Sequence, residues 1–165
     1  MLSIDLIRQN LERSEEIVLI GIEGMREHCM VPATPRGGAH TLWVLGHLAF
    51  IESLVIRQFM LGEANPLSHW EATFDGDAIS SAREDFPAFD EVLENCRRAR
   101  AQTMLLLDGL AEEDLDATSV DAPDAAKDLF GTRRSCFQTV ADHWYMHRGQ
   151  LADARRAAGL ERAWY

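Results

Sequence analysis

Apolar and polar positions along the chain sort into four long segments of helical period, separated by stretches of turn formers. From Ser3 onward Ile4, Ile7, Leu11, Val18, Ile22 and Met25 recur in steps of three and four, with Ser14 in the gap and charges on the other face. That spacing predicts an amphipathic helix over about 4–28. Ser3 is its expected N-cap, and Asp5 suits the positive end of the helix dipole. Val31 to Gly38 is turn material. Thr41 is the expected cap of a second helix, about 42–60, apolar around more than half its circumference and therefore buried on several sides. His47 shares a stripe there with Trp43, Gly46, Phe50, Ile51 and Leu54, which points its imidazole inward. Gly46 leaves backbone space for an ion or small ligand.

Residues 61–85 are rich in Gly, Asn, Pro, Ser and Asp, with Trp70 and Phe74 expected on the surface of the core. At roughly 3.3 Å per extended residue this connection is long enough to let the third helix run parallel to the second. Asp85 is the expected cap of that third helix, about 86–108, which carries Phe89, Val92, Leu93, Cys96, Ala99, Thr103, Leu106 and Leu107 at helical spacing. Residues 110–132 are irregular, with room for one short helical turn. The last helix runs over about 133–158, with Thr132 or Ser135 as cap and Gly159 as the stop. Its inward stripe reads Cys136, Val140, His143, His147, Leu151 and Ala154. Neither strand-like alternation nor an internal repeat competes, so the expectation is an all-α four-helix bundle forming a single domain over residues 1–165.

Composition narrows the function. The 165 residues carry a net charge of -11 with no basic cluster to offset it, which argues against a nucleic-acid partner and against docking to anionic lipid. Residues 42–56, the longest apolar stretch, are interrupted by His47 and Glu52 and are expected to fall short of a membrane span. Lys127 is the only lysine, so Schiff-base chemistry has a single possible position. Cys29, Cys96 and Cys136 are odd in number and form no CxxC pair, and no signal peptide is evident. Reduced thiols in a cytoplasmic protein are expected.

The candidate chemistry lies in His143-Trp144-Tyr145-Met146-His147-Arg148-Gly149-Gln150. Two histidines four residues apart share a helix face, so their imidazoles can converge on one ion. His47, on another inward stripe, is the candidate third ligand. Buried imidazoles need partners for their polar nitrogens, and a divalent metal supplies one for all three while leaving coordination positions open for water or substrate. The same pattern also fits three histidines hydrogen-bonded in a core. Glu52, Asp142 and Gln150 are candidates to orient a ligand imidazole, against the plainer reading that Glu52 and Asp142 face solvent or an arginine and Gln150 is a polar residue at the rim, and Cys136 shares the face of His143. His28, His40 and His69 read as solvated or capping residues.

With Leu45-Gly46-His47-Leu48 and the His-x-x-x-His-Arg-Gly-Gln segment in place, the chain resembles the DinB-like (DinB/YfiT) superfamily over nearly its whole length. The resemblance implies a four-helix bundle in up-down-down-up order, His47, His143 and His147 as a metal triad, and homodimers. Characterised relatives are metal-dependent transferases and isomerases that use low-molecular-weight thiols such as mycothiol or bacillithiol. The expected cofactor is therefore a divalent cation, zinc or nickel foremost, with iron or manganese also compatible. The expected activity is attack of a metal-activated thiol or water on a small-molecule electrophile. The alternative is a non-catalytic dimeric bundle that binds a metal or small ligand. Trp70, Phe74, Trp164 and Tyr165 are candidates for a dimer surface.

Overall fold

The computed structural model describes residues 2–76 and 79–164. In chain order it comprises α1 (Ser3–Gly21), a hairpin of β1 (Pro32–Thr34) and β2 (Gly37–His40), α2 (Thr41–Ser53), the short α3 (Glu71–Phe74), α4 (Phe89–Asp108), the short α5 (Lys127–Phe130) and α6 (Arg133–Ala157). The fold is mainly helical, as the periodicity indicates. α1 packs on α6 and α4, and α2 packs on α4 and α6, so each long helix has two long neighbours around one core. Fully buried Leu11, Leu42, Leu45, Leu48, Phe74, Phe137 and Leu107 fill it. Each such side chain contributes about 1.5–3 kcal/mol of transfer free energy.

Several boundaries differ from the sequence expectation, each for a local reason. α1 stops at Gly21 instead of continuing to 28, and Gly24 turns the chain with φ +74°, a backbone region that glycine enters without steric cost. Ser3 is the first helical residue and not the cap. The Glu112 carboxylate caps α1 from across the molecule, accepting from the backbone N–H groups of Ser3 (3.2 Å) and Ile4 (2.9 Å). The 31–38 turn is the core of a two-stranded antiparallel hairpin, with Pro32 opposite His40 and Thr34 opposite Gly37. α4 begins at Phe89 and not at 86, because Pro87 holds Phe86 extended (φ -119°, ψ 148°), and Asp85 instead accepts from the Ser80 hydroxyl.

α2 continues into wider π-type turns over Leu54–Met60, which present the Phe59 and Met60 carbonyls to the backbone N–H groups of Asp121 and Val120. Taken together, Thr41–Met60 is long and apolar enough to cross a membrane, contrary to the expectation that His47 and Glu52 would disqualify it. Its apolar surface goes instead into the core, with 67% of the most apolar window buried.

Trp70 and Phe74 do not sit on the surface. They are 4% and 0% exposed, at the centre of an aromatic cluster that Phe86 completes. Trp164 is half-buried, its indole N–H donating to the Ile17 carbonyl at 3.1 Å, and Tyr165 lies outside the described residues. On α6 the expected inward stripe is buried at Cys136, Val140, His147, Leu151 and Ala154, and the buried face is wider than that stripe. Phe137, Ala141 and Trp144 point into the core, while His143 lies at its margin.

Both expected caps of α6 take part. The Thr132 hydroxyl accepts from the Ser135 N–H (3.1 Å), and the Ser135 hydroxyl accepts from the Thr132 N–H (3.0 Å). At the other end Gly159, at φ +74°, closes a Schellman turn, with Leu160 N–H donating to the Arg155 carbonyl and Gly159 N–H to that of Arg156. Thr132→Ala is expected to cost about 1 kcal/mol of stability, read as a lower urea midpoint with an unchanged slope.

Candidate metal centre

α2 is launched by a histidine. His40, only 2% exposed, accepts the Trp43 N–H at its Nδ1 (3.1 Å) and donates from Nε2 to the Ser80 carbonyl (3.2 Å). The cap is His40, not Thr41, and it is a buried capping residue. Two turns beyond that cap, His47 stacks on Trp43 with ring centroids 4.5 Å apart and planes 11° from parallel. Gly46 is required here, but not to admit an ion. A Cβ at that position would lie 2.1 Å from the Phe74 ring, so the missing side chain is the seat of that phenyl group. The Phe74 carbonyl in turn accepts the His47 Nδ1–H at 2.6 Å. The connection between α2 and α4 thereby fixes the imidazole from behind.

On α6, His143 and His147 lie one turn apart and face His47. The Nε2 atoms of His47 and His147 each lie 3.1 Å from Nε2 of His143, and all three ligand atoms fall within 4.8 Å of one another. Ligand nitrogens adjacent around a shared cation at about 2.0–2.1 Å are separated by about 2.9–3.4 Å in octahedral or tetrahedral sites, and both 3.1 Å separations fall in that range. The sequence profile of the DinB superfamily matches residues 11–151, a span that contains all three histidines. The chain belongs to the DinB superfamily. No curated protein and no solved structure matches it.

In this DinB-superfamily chain the proton inventory of the triad is short by design. A carbonyl can only accept, so His47 carries its proton on Nδ1, leaving a lone pair on Nε2. His147 does the same, with Nδ1 2.5 Å from the Gln150 side-chain oxygen. A single proton on His143 Nε2 can serve only one of its two neighbours, so at least one lone pair at the centre faces another. Extra protons are resisted. Burial, reinforced by the charges of His147 and His47, pushes His143 down to about 3. Burial likewise lowers His147 to about 4, although its bond to Gln150 opposes the shift. His47 is lowered by burial against the opposing Phe74 bond and the Asp75 charge. Three basic, uncharged nitrogens aimed at one point constitute a donor set for a cation.

The remaining candidates separate clearly. Gln150 touches the triad, as expected. Asp142 does not, being exposed and bonded to Gln138 (3.0 Å). Glu52 faces an arginine, Arg100, in the core. Cys136 sits two turns, about 10 Å along the axis, from His143, and its thiol lies 3.4 Å from both the Ser119 hydroxyl and the Phe130 carbonyl. His28 lies in the 26–28 turn, and His69 is exposed in the 68–70 turn. Two contributors escaped the sequence reading. Trp43 had a signal, since it precedes His47 by one turn on the same stripe, but the Phe74 carbonyl had none.

Gly46→Ala is expected to destabilise by about 1–3 kcal/mol, because the new methyl meets a fully buried ring, whereas helix propensity alone would favour alanine by up to about 1 kcal/mol. The sign of the shift in the unfolding midpoint decides which effect wins. For pH, the folded state holds His40, His47, His143 and His147 below the ordinary 6.5, so the unfolded chain binds more protons in that window. Their contribution to stability is intact above about pH 6.5 and is lost as pH falls toward 4 and 3. Metal-free His143→Gln/His147→Gln protein is expected to lose less stability than wild type between pH 7.5 and 5 in urea titrations.

Proposed function

We propose that this chain is a divalent-metal-dependent enzyme of the thiol S-transferase type, in which His47, His143 and His147 hold the cation, zinc or nickel foremost. The observation that carries this reading is the meeting of three Nε2 atoms with too few protons to satisfy one another, 3.1 Å apart in two of the three pairs, where His47 and His143 are only half-buried. That half-exposure leaves the centre a side through which a small molecule can approach. A divalent cation bound there would supply Lewis acidity, lowering the pKa of a thiol or water that shares it.

The protein's own groups hold the donor set ready. The Phe74 carbonyl and Gln150 keep protons on the far nitrogens of His47 and His147, and the Trp43 ring covers one face of His47. The chain's thiols are unsuited to the nucleophilic role. Cys29, Cys96 and Cys136 are all buried, and burial pushes each of them above its ordinary pKa. The reacting sulfur is therefore that of a low-molecular-weight thiol: its S–H proton passes to solvent, its sulfur bonds to an electrophilic carbon, and the group that carbon carried departs with the electron pair of the broken bond. The reading also comprises a cytoplasmic homodimer and a four-helix bundle in up-down-down-up order, with residues 61–88 as the crossover between α2 and α4.

Elemental analysis of protein purified without a polyhistidine tag is expected to find about one divalent ion per chain. His47→Ala and His143→Ala should lose it while keeping the helical circular dichroism signal. Conjugation of a small thiol to panels of alkyl and aryl electrophiles is expected with the loaded wild type and not with either variant. A folded, metal-loaded protein that turns over none of them with any thiol overturns the enzymatic assignment, and metal retained in both variants overturns the ligand set.

A further inference from the structure

We propose that Arg100 is the positioning residue of the three-histidine centre, setting the rotation of α6 and the placement of α2 from the core side. The proposal rests on the reading of His47, His143 and His147 as metal ligands. Arg100 is 0% exposed, and its guanidinium has acceptors on two other long helices. Nε donates to Glu52 Oε1 at 2.9 Å, and one terminal nitrogen donates to Glu52 Oε2 at 3.0 Å, which grips α2 five residues beyond His47. The other terminal nitrogen donates to the Leu11 carbonyl and to the Ser14 hydroxyl (3.1 Å) of α1. The guanidinium plane also sits over the Trp144 ring, 4.0 Å from its centroid, and so reaches α6 between the two histidines.

Trp144 itself shows why the stack matters. Its ring is 1% exposed, and its indole N–H finds no acceptor among the described residues. No hydrogen bond therefore orients it, and the polar group that faces it is the guanidinium. Because Trp144 follows His143 directly and precedes His147 by three residues, the rotation of α6 that seats the indole also aims both imidazoles. A turn of α6 by about 10° would carry an imidazole nitrogen, about 6 Å from the helix axis, by about 1 Å. Metal–ligand distances tolerate about 0.2 Å.

Stability does not account for such a group. Replacing a buried ion pair by apolar residues of similar volume is commonly neutral or stabilising, because two charges no longer need desolvation. What the pair has and a hydrocarbon lacks is direction. The planar fork meets the carboxylate in one geometry, whereas Leu and Met side chains slide past one another.

Cobalt(II) titration of wild type, Glu52→Leu/Arg100→Met and, as a core-truncation control, Leu115→Ala tests this. The double variant is expected to fold with an equal or higher melting temperature, yet to bind cobalt ten- to a hundredfold more weakly with a shifted visible spectrum, while Leu115→Ala melts lower and binds cobalt as wild type does. Cobalt affinity within twofold of wild type and an unchanged spectrum in the folded double variant would overturn the proposal. If that variant does not fold, Arg100→Lys decides, since lysine keeps the charge and loses the fork and the stack. Weaker cobalt binding at an unchanged helical signal supports the positioning role, and unchanged binding refutes it. Wild type that takes up no cobalt sinks the metal reading itself and this inference with it, whereas normal uptake by every variant sinks the inference alone.

Discussion

A guanidinium ion at the centre of a protein is tolerated only if its donors are met, and here the requirement organises the molecule. Arg100 on α4 is met by Glu52 on α2, by a carbonyl and a hydroxyl on α1, and by the indole face of Trp144 on α6. Leaving one of these unmade would strand a charge in a low-dielectric interior, a cost of several kcal/mol. Apolar packing around it supplies most of the favourable free energy but carries no hydrogen-bond direction. The ion does, and it touches all four long helices.

The histidine cluster lies on the other side of the same two helices and obeys a complementary rule. Its three Nε2 atoms face one another without enough protons to satisfy every pair. Two of the rings have their far nitrogens tied, one to a backbone carbonyl and one to a side-chain amide, so His47 cannot relieve the crowding by exchanging tautomers and His147 can do so only if the Gln150 amide turns over. Protonation would relieve it by adding charge, but burial opposes that. The core thus pairs a charge whose every nitrogen has an acceptor with a margin whose lone pairs are not all matched.

The connection from α2 to α4 is more than a tether to the histidine side of this arrangement. Trp70, Phe74 and Phe86 pack as one aromatic unit, and Phe74 fits the gap over Gly46 while its carbonyl restrains His47. A segment whose composition reads as loop therefore buries some of the largest side chains in the chain. The hairpin does comparable work at the start of α2, since its last residue, His40, caps the helix and anchors the far part of the same connection through Ser80.

Much of this was legible in the residues alone. Helical periodicity located the four long helices and the cap and stop of α6. The four-residue interval between His143 and His147 required a shared face, and the inward stripe of α2 brought His47 toward them. These features are local, decided within one or two turns by backbone geometry and by the alternation of apolar and charged side chains. Tertiary structure decided what depends on atoms distant in sequence. Glu112 caps α1 across more than a hundred residues, Phe74 and not an ion occupies the space over Gly46, and Glu52 turns to Arg100 instead of to a histidine. The depth of His143 was settled there as well, because a register read from one stripe cannot weigh His143 against Trp144 for the core. The larger indole went inward beneath the guanidinium, and the imidazole was left at the edge of the core.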